Sequence, residues 1–413
     1  MAEAGPSGAS KLRVDLLAIG LLLVLTAVLF LPVAAFVVGE DDYRSHLIGL
    51  NNLLLGEPFR LFVVQAPHFL FHLLVLAVYR AAPGTTLTSA AFVVAVAAYL
   101  AGALAIYGLF SALLGRAKSL RTAMLYATLS LALMLVMPIN LLTPGNRYLG
   151  YLIPHAYHNP TIVVLKPLAL VLFYVSARCF DARPLPRPVA YTAGAAIATL
   201  LAVLAKPSYV IALAPALSLV AAHALWRGAP VHWRLLVYGV LLPIALGVGV
   251  QMTFMSARRS FVFAPLAVFH EWARLINPAA ASHLPLKFLL SILFPLAVYV
   301  CCLRLARGAL YLNLAWLTFA VGAAYTYLLA ESGNDLGLGN FTWSAQITVF
   351  VLFVASAVFF LGWATRDAPR GSVAATATIA LVGLVFVLHL VSGLEWYGLH
   401  TGWLPMGYII AVW

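Results

Sequence analysis

The feature that most constrains this chain is a series of uninterrupted apolar segments, each about 17 to 27 residues long, separated by short polar links. A hydrocarbon core takes about 20 helical residues to cross. Backbone N–H and C=O groups in lipid must be satisfied internally, so each segment is expected to be a helix. Composition leaves no soluble alternative. Of 413 residues, 64% are hydrophobic and 9% charged, against about 25% charged in ordinary soluble domains. The segments predict an all-α polytopic transmembrane helical bundle of about eleven spans, near 14–38, 88–114, 122–138, 160–177, 189–205, 208–226, 235–254, 286–303, 309–330, 344–363 and 372–394. Residues 1–13 are then a cytoplasmic N-terminal tail. Residues 14–413 form a single transmembrane domain, with loops 39–87, 139–159, 255–285 and 331–343 on the opposite face. The first run, Val14 to Val38, exceeds the apolar stretch of about 7–15 residues in a cleavable signal and is expected to be a retained anchor.

Charge orients the bundle. The net charge of +12 is not a nucleic-acid footprint, because the cations punctuate helix ends instead of forming a soluble basic surface. One set of short links holds Lys11, Arg13, Arg116, Lys118, Arg121, Arg178, Arg183, Arg187, Arg227, Arg234, Arg304, Arg307, Arg366 and Arg370. The positive-inside rule makes that side cytoplasmic. Most carboxylates, with much of the His, Asn and Trp, fall on the other side. The scheme requires that His68 to Tyr79, at about 12 residues, lie in the interface without spanning. Phe261 to Leu275, with Arg258 and Arg259 just before it, reads as a second interfacial helix. Cys179, Cys301 and Cys302 have neither disulfide-framework nor zinc-site spacing and read as structural.

Chemistry-bearing residues cluster in the outer loops. Glu40-Asp41-Asp42-Tyr43-Arg44-Ser45-His46 follows the first span directly. Adjacent carboxylates repel, which raises at least one pKa unless a cation or metal offsets the charge, and this makes the triplet a candidate general base. If the segment is helical, Asp42 and His46 share a face. An acidic N-terminal cap is the competing reading. His155 and His158 have a spacing that could share a metal, but no third ligand is near in sequence. Lys166 lies more than a turn inside an apolar segment, where a cation faces a cavity or snorkels to the headgroups. Lys206-Pro207 sits at a tight junction between two helices. The loop holding Glu331 and Asn340 combines tight glycine turns with sugar-contacting residue types, while Trp343 also suits an interfacial belt.

There is no P-loop, His-Glu-x-x-His, Gly-x-Ser-x-Gly or dinucleotide fingerprint. The order of a first span, an outer loop opening Glu40-Asp41-Asp42-Tyr43, an interfacial Pro67-His68-Phe69-Leu70-Phe71-His72 segment and then the remaining bundle resembles the GT-C superfamily of membrane glycosyltransferases. These enzymes use polyprenyl-phosphate-linked sugars. The resemblance implies that Asp41 or Asp42 is the catalytic base; His46, sharing a helical face with Asp42, is expected to orient it. It implies cations that hold the lipid phosphate, and Lys166, Lys206, Arg258 and Arg259 are the candidates by their location. Glu40, Arg44, His155, His158, Glu331 and Asn340 complete the expected substrate-binding set. The implied donor is a polyprenyl-phosphate sugar, the surroundings are membrane lipids, and a divalent cation is left open as cofactor. Neither sugar nor acceptor is named by the sequence. The competing class is a transporter or flippase for an anionic lipid or lipid-linked sugar, and a noncatalytic assembly subunit is a third.

Overall fold

The computed structural model describes residues 8–140, 147–255 and 260–404, with all their side chains except those of 8–13, Asp41, Met255 and Asn334. The elements run α1 (Gly8–Val37), α2 (Asp41–Leu54), α3 (Phe59–Gln65), α4 (Leu70–Ala81), α5 (Leu87–Leu114), α6 (Leu120–Leu133), α7 (Pro160–Arg178), α8 (Pro188–Ala205) and α9 (Ser208–Arg227). A π-helical stretch, Leu235–Leu241, continues into α10 (Leu242–Met255). Then come β1 (Phe261–Phe263), α11 (Ala267–Leu275), α12 (Leu284–Cys301), α13 (Leu303–Ala306), α14 (Leu310–Leu328), β2 (Leu329–Glu331), α15 (Thr342–Gly362) and α16 (Val373–Leu399).

Among the described residues nine helical segments are long and apolar enough to cross a membrane, against the eleven or so expected. The two differences have separate causes. Helix α14 has 19 residues, but Asn313 and several Tyr, Thr and Trp residues dilute its apolar character. Helix α6 has only 14 residues, about 21 Å of helix, where a span over 122–138 was expected. It stops at Leu133, and the chain continues as buried non-helical backbone to Asn140. That backbone is paired by its neighbours. Met137 N–H donates to His389 O at 3.0 Å and Ile139 N–H to Leu290 O at 3.2 Å, while His389 Nδ1 donates to Met137 O at 2.6 Å. Pro295 removes an N–H from α12 beside this break, and Phe294 N–H meets His389 Nε2 at 3.3 Å. This irregular backbone is thus enclosed by protein, the condition under which such backbone is tolerated in a membrane bundle.

Helix α15 is apolar on every side, so it has no solvent or lipid face to offer and is buried at the centre of the bundle. Helix α14 lies along it. At Gly322 an added Cβ would stand 2.6 Å from Thr348 Oγ1 and 2.8 Å from Ser344 O, so only glycine allows this close approach. Around α15 pack α5, α7, α9 and α12.

Loop 39–87 is largely helical: α2, α3 and the short α4 gather at one end of the bundle, and α4 packs Leu70, Phe71, His72 and Val75 inward. Residues 148–159 are buried throughout, so this part of the loop expected over 139–159 is a packed wedge between helices. The expected interfacial helix over Phe261–Leu275 is shorter. Its first three residues form β1, antiparallel to β2 with Phe261 opposite Glu331, and only Ala267–Leu275 is helical. Helix α1 begins at Gly8, within the expected tail over 1–13, and its apolar span starts at Val14 as expected.

Candidate functional site

The site is organised by the start of α7. Asn159 is its N-cap and Pro160 occupies the first turn, where a missing N–H costs nothing. Asn159 Oδ1 accepts from Ile162 N–H at 3.0 Å and from the Thr161 hydroxyl at 2.7 Å. With the oxygen so engaged, the amide nitrogen must face the other way, and Asn159 Nδ2 donates to Asp42 Oδ2 at 2.7 Å. Asp42 reaches this point from the first turn of α2. Thr161 Oγ1 also accepts from Lys206 Nζ at 3.2 Å. A continuous chain of hydrogen bonds therefore runs from the Lys206 ammonium through Thr161 and Asn159 to the Asp42 carboxylate.

Lys206 sits at the C-terminal end of α8, with Pro207 breaking the helix directly after it. It is buried, with its Nζ 4.5 Å from the centre of the Trp343 ring. Burial pulls its ammonium down to about 8, and the Asp42 charge acts in the opposite direction. Trp343 also lies 6.2 Å from the His158 ring, and His158 lies 6.4 Å from His400. Burial, with the neighbouring His400 and Lys206, pulls His158 down to about 3, so it is a neutral imidazole. Tyr148 stands beside it at 5.5 Å between ring centres. Burial raises the Tyr148 phenol, a hydrogen bond with Gln346 opposes this, and the Asp42 charge adds to the rise.

On the other side of Lys206 opens a cavity of about 440 Å³. Pro67, Ile211, Val248, Met252, Phe261, Leu329 and Phe341 give it apolar walls, and Lys206, Glu331, Asn340, Gln65 and Gln251 supply its polar groups. The ribbon of β1 and β2 contributes to one wall. A cavity with apolar walls and a lysine in its lining suits an amphiphile with an anionic head. A smaller cavity of about 220 Å³, lined by Ser45, His46, Gln65 and His72, lies next to it through their shared Gln65.

His46 does stand one turn from Asp42 on α2, but its partner is His72: His46 Nδ1 is 3.1 Å from His72 Nε2. Burial, then the His72 and Lys206 charges, pull His46 down to about 3.

The structure thus brings together Asp42, His46, His158, Lys206, Glu331 and Asn340 from the expected set. It separates others. Lys166 and His155 form their own buried pair, Nζ to Nδ1 at 2.6 Å, boxed by the rings of Tyr157 and Phe350. His155 Nε2 lies 2.8 Å from Leu133 O, so this pair closes the free end of α6 and does not line the groove. The cause is the early stop of α6, whose orphan carbonyls draw in the polar groups of the wedge. Arg44 lines a different, open hollow with Asn51 and Thr88, since two residues along α2 it points to nearly the opposite side of the helix from Asp42. Glu40 is exposed at the N-cap of α2 and makes no side-chain cap bond. The side chain of Asp41, and the whole of Arg258 and Arg259, fall outside the described residues.

Asn159, Thr161 and His72 were not singled out by sequence. Asn159 caps α7, and its bond to Asp42 joins it to a residue 117 positions away, which no local sequence pattern signals. Trp343 reads as a belt residue, yet it covers the Lys206 ammonium. Among the described residues no three His, Cys, Asp or Glu side chains converge as a metal site. Family models, curated proteins and solved structures all give no match to this chain.

Proposed function

We propose that the chain is a membrane glycosyltransferase of GT-C type that moves a sugar from a polyprenyl-phosphate-linked donor to an acceptor hydroxyl, with its site on the outer face. One observation carries the reading: Lys206 lines the mainly apolar cavity and is tied by two intervening side chains to Asp42. A prenyl chain would lie along Ile211, Val248 and Met252 with its phosphate at the ammonium. Asp42 accepts the acceptor's O–H proton while the oxygen attacks the anomeric carbon, and the bond from that carbon to the phosphate oxygen breaks. The leaving polyprenyl phosphate keeps the electron pair, and Lys206 stabilises its charge. Attack opposite the leaving group inverts the anomeric centre. Glu331 and Asn340, which also line the cavity, would hydrogen-bond sugar hydroxyls.

The test is release of free polyprenyl phosphate from a panel of polyprenyl-phosphate sugars, with acceptor-containing membrane extract. Asp42→Asn keeps the size of the side chain and removes the base. It is expected to lower release by about 10²–10⁴-fold, the contribution of general-base catalysis, while donor binding persists. Equal release by wild type and variant would exclude Asp42 as the base.

The discontinuous α6 favours a second reading, a transporter or flippase of the same lipid, because broken helices line many transport sites. Donor moved across a vesicle bilayer with its sugar still attached would establish that reading over the first.

A further inference from the structure

We infer that Asn159 and Thr161 are positioning residues that hold the Asp42 carboxylate ionised and in a fixed orientation by bridging it to Lys206. The role in catalysis rests on the transferase reading; the effect on Asp42 itself does not. The argument is one of direction. Asn159 Oδ1 is held by Ile162 N–H at 3.0 Å and by Thr161 Oγ1 at 2.7 Å. The amide cannot turn over without losing both bonds, so its N–H remains aimed at Asp42 Oδ2, 2.7 Å away. Thr161 can donate to Asn159 because its own lone pair receives Lys206 Nζ at 3.2 Å. Each bond in the chain polarises the next, and the positive end faces the carboxylate.

A hydrogen bond to the charged form of a carboxylate favours that form. Among the described residues, the charged or titratable groups near Asp42 include Glu40 at the N-cap of its helix, His46 one turn along, Lys206 at the α8–α9 junction, and Tyr148 and His158 on the wedge. Burial holds His46 and His158 neutral, while the Asn159 amide and the Lys206 charge both stabilise the anion. The consequence is a base kept deprotonated in a half-buried setting beside two further acids. Turning the amide away would let Asp42 take a proton and stop being a base.

Asn159→Ser separates this role from helix capping. Serine caps a helix as well as asparagine, but its hydroxyl is too short to reach Asp42 while capping. The full-length protein in detergent is titrated by infrared spectroscopy, and the Asp42 carboxylic C=O band is assigned by its loss in Asp42→Asn. In Asn159→Ser that band is expected to appear about one to two pH units higher than in wild type, the worth of one hydrogen bond to a charged group. Thr161→Val should shift it in the same direction by less, and Thr161→Ser should restore it. If Asn159→Ser folds with unchanged melting temperature and unchanged Asp42 titration, the inference is overturned and Asn159 is only a cap. If the band shifts but wild type releases no polyprenyl phosphate from any donor, the coupling stands and the transferase reading falls. Should Asn159→Ser fail to fold, the Thr161→Val and Thr161→Ser pair decides alone: a shift restored by serine supports the bridge, and no shift refutes it.

Discussion

Lys166 and Lys206 look equivalent in the sequence, since each is a lysine at or within an apolar segment beside a proline, and the structure predicts opposite behaviour when each is replaced by methionine. Methionine keeps much of the side-chain volume, so the change is mainly one of charge. Lys206 lines the groove and donates to Thr161. Lys206→Met removes a charge-assisted contact worth about 1.5–3 kcal/mol, which is about tenfold to hundredfold in affinity for farnesyl phosphate, a short probe of the proposed donor. The pH profile adds a signature. Burial sets the Lys206 ammonium to about 8, while a phosphate monoester is already a dianion above its second pKa of about 6. Wild-type affinity should therefore fall as pH rises past 8, by about tenfold per unit once the free amine dominates, and the methionine variant should be flat there. Lys166 instead donates to His155 Nδ1, whose ring gives its other N–H to Leu133 O. Lys166→Met leaves a buried imidazole nitrogen without its donor, at about 1–3 kcal/mol, and loses the contacts with Tyr157 and Phe350. It should lower the melting temperature and leave probe affinity unchanged. Probe binding by tryptophan fluorescence and thermal denaturation in the same detergent read both quantities. Loss of binding in Lys166→Met with full stability, or pH-dependent binding kept by Lys206→Met, would refute the division of roles.

Stability should also depend on acid. Burial pulls His46 and His158 down to about 3 and His72 and His400 to about 4, whereas an unfolded histidine titrates near 6.5. The unfolded chain takes up protons first as pH falls, so this stability is complete above about 6.5 and is lost toward pH 4. At pH 5 each histidine costs about 2 kcal/mol. A melting temperature independent of pH between 7.5 and 4.5 would contradict the buried neutral assignment. Gly393→Ala tests the junction of α16 with the broken end of α6. Alanine gains about 1 kcal/mol of helix propensity, but its Cβ would overlap the Leu135 carbonyl, a backbone atom that cannot swing aside. Overpacking of about 1–3 kcal/mol should dominate, so the variant is expected to melt lower than wild type in thermal denaturation.

The helices were legible because apolar run length is a local property: α5, α7, α8, α9 and α16 begin and end within a few residues of their expected limits. The early end of α6 was not, because residues 134–138 are as apolar as the helix before them. What stops it is tertiary. His155 and Tyr157 bond the carbonyls of Leu133 and Met134, at 2.8 and 3.1 Å, and His389 does the same for Met137. No window along the chain contains both the carbonyls and their partners. The same limit governs the site. Asp42, Lys206 and His158 stand out in sequence because charge and imidazole in an apolar chain are costly wherever they fall. Asn159 and Thr161 do not, because a small polar residue at a helix start is common and cheap. Their importance comes from what arrives from elsewhere: α2 brings Asp42 across 117 positions of chain, and the α8–α9 break brings Lys206 across 45. The buried wedge is the element that joins these facts. Because α6 stops short, the segment that follows packs within the bundle; because it packs there, Asn159 begins α7 at a depth where Asp42 and Lys206 can both reach it. A continuous α6 would fill the space that the wedge occupies and would carry Asn159 away from them, so the helix break and the carboxylate–lysine bridge are expected to stand or fall together.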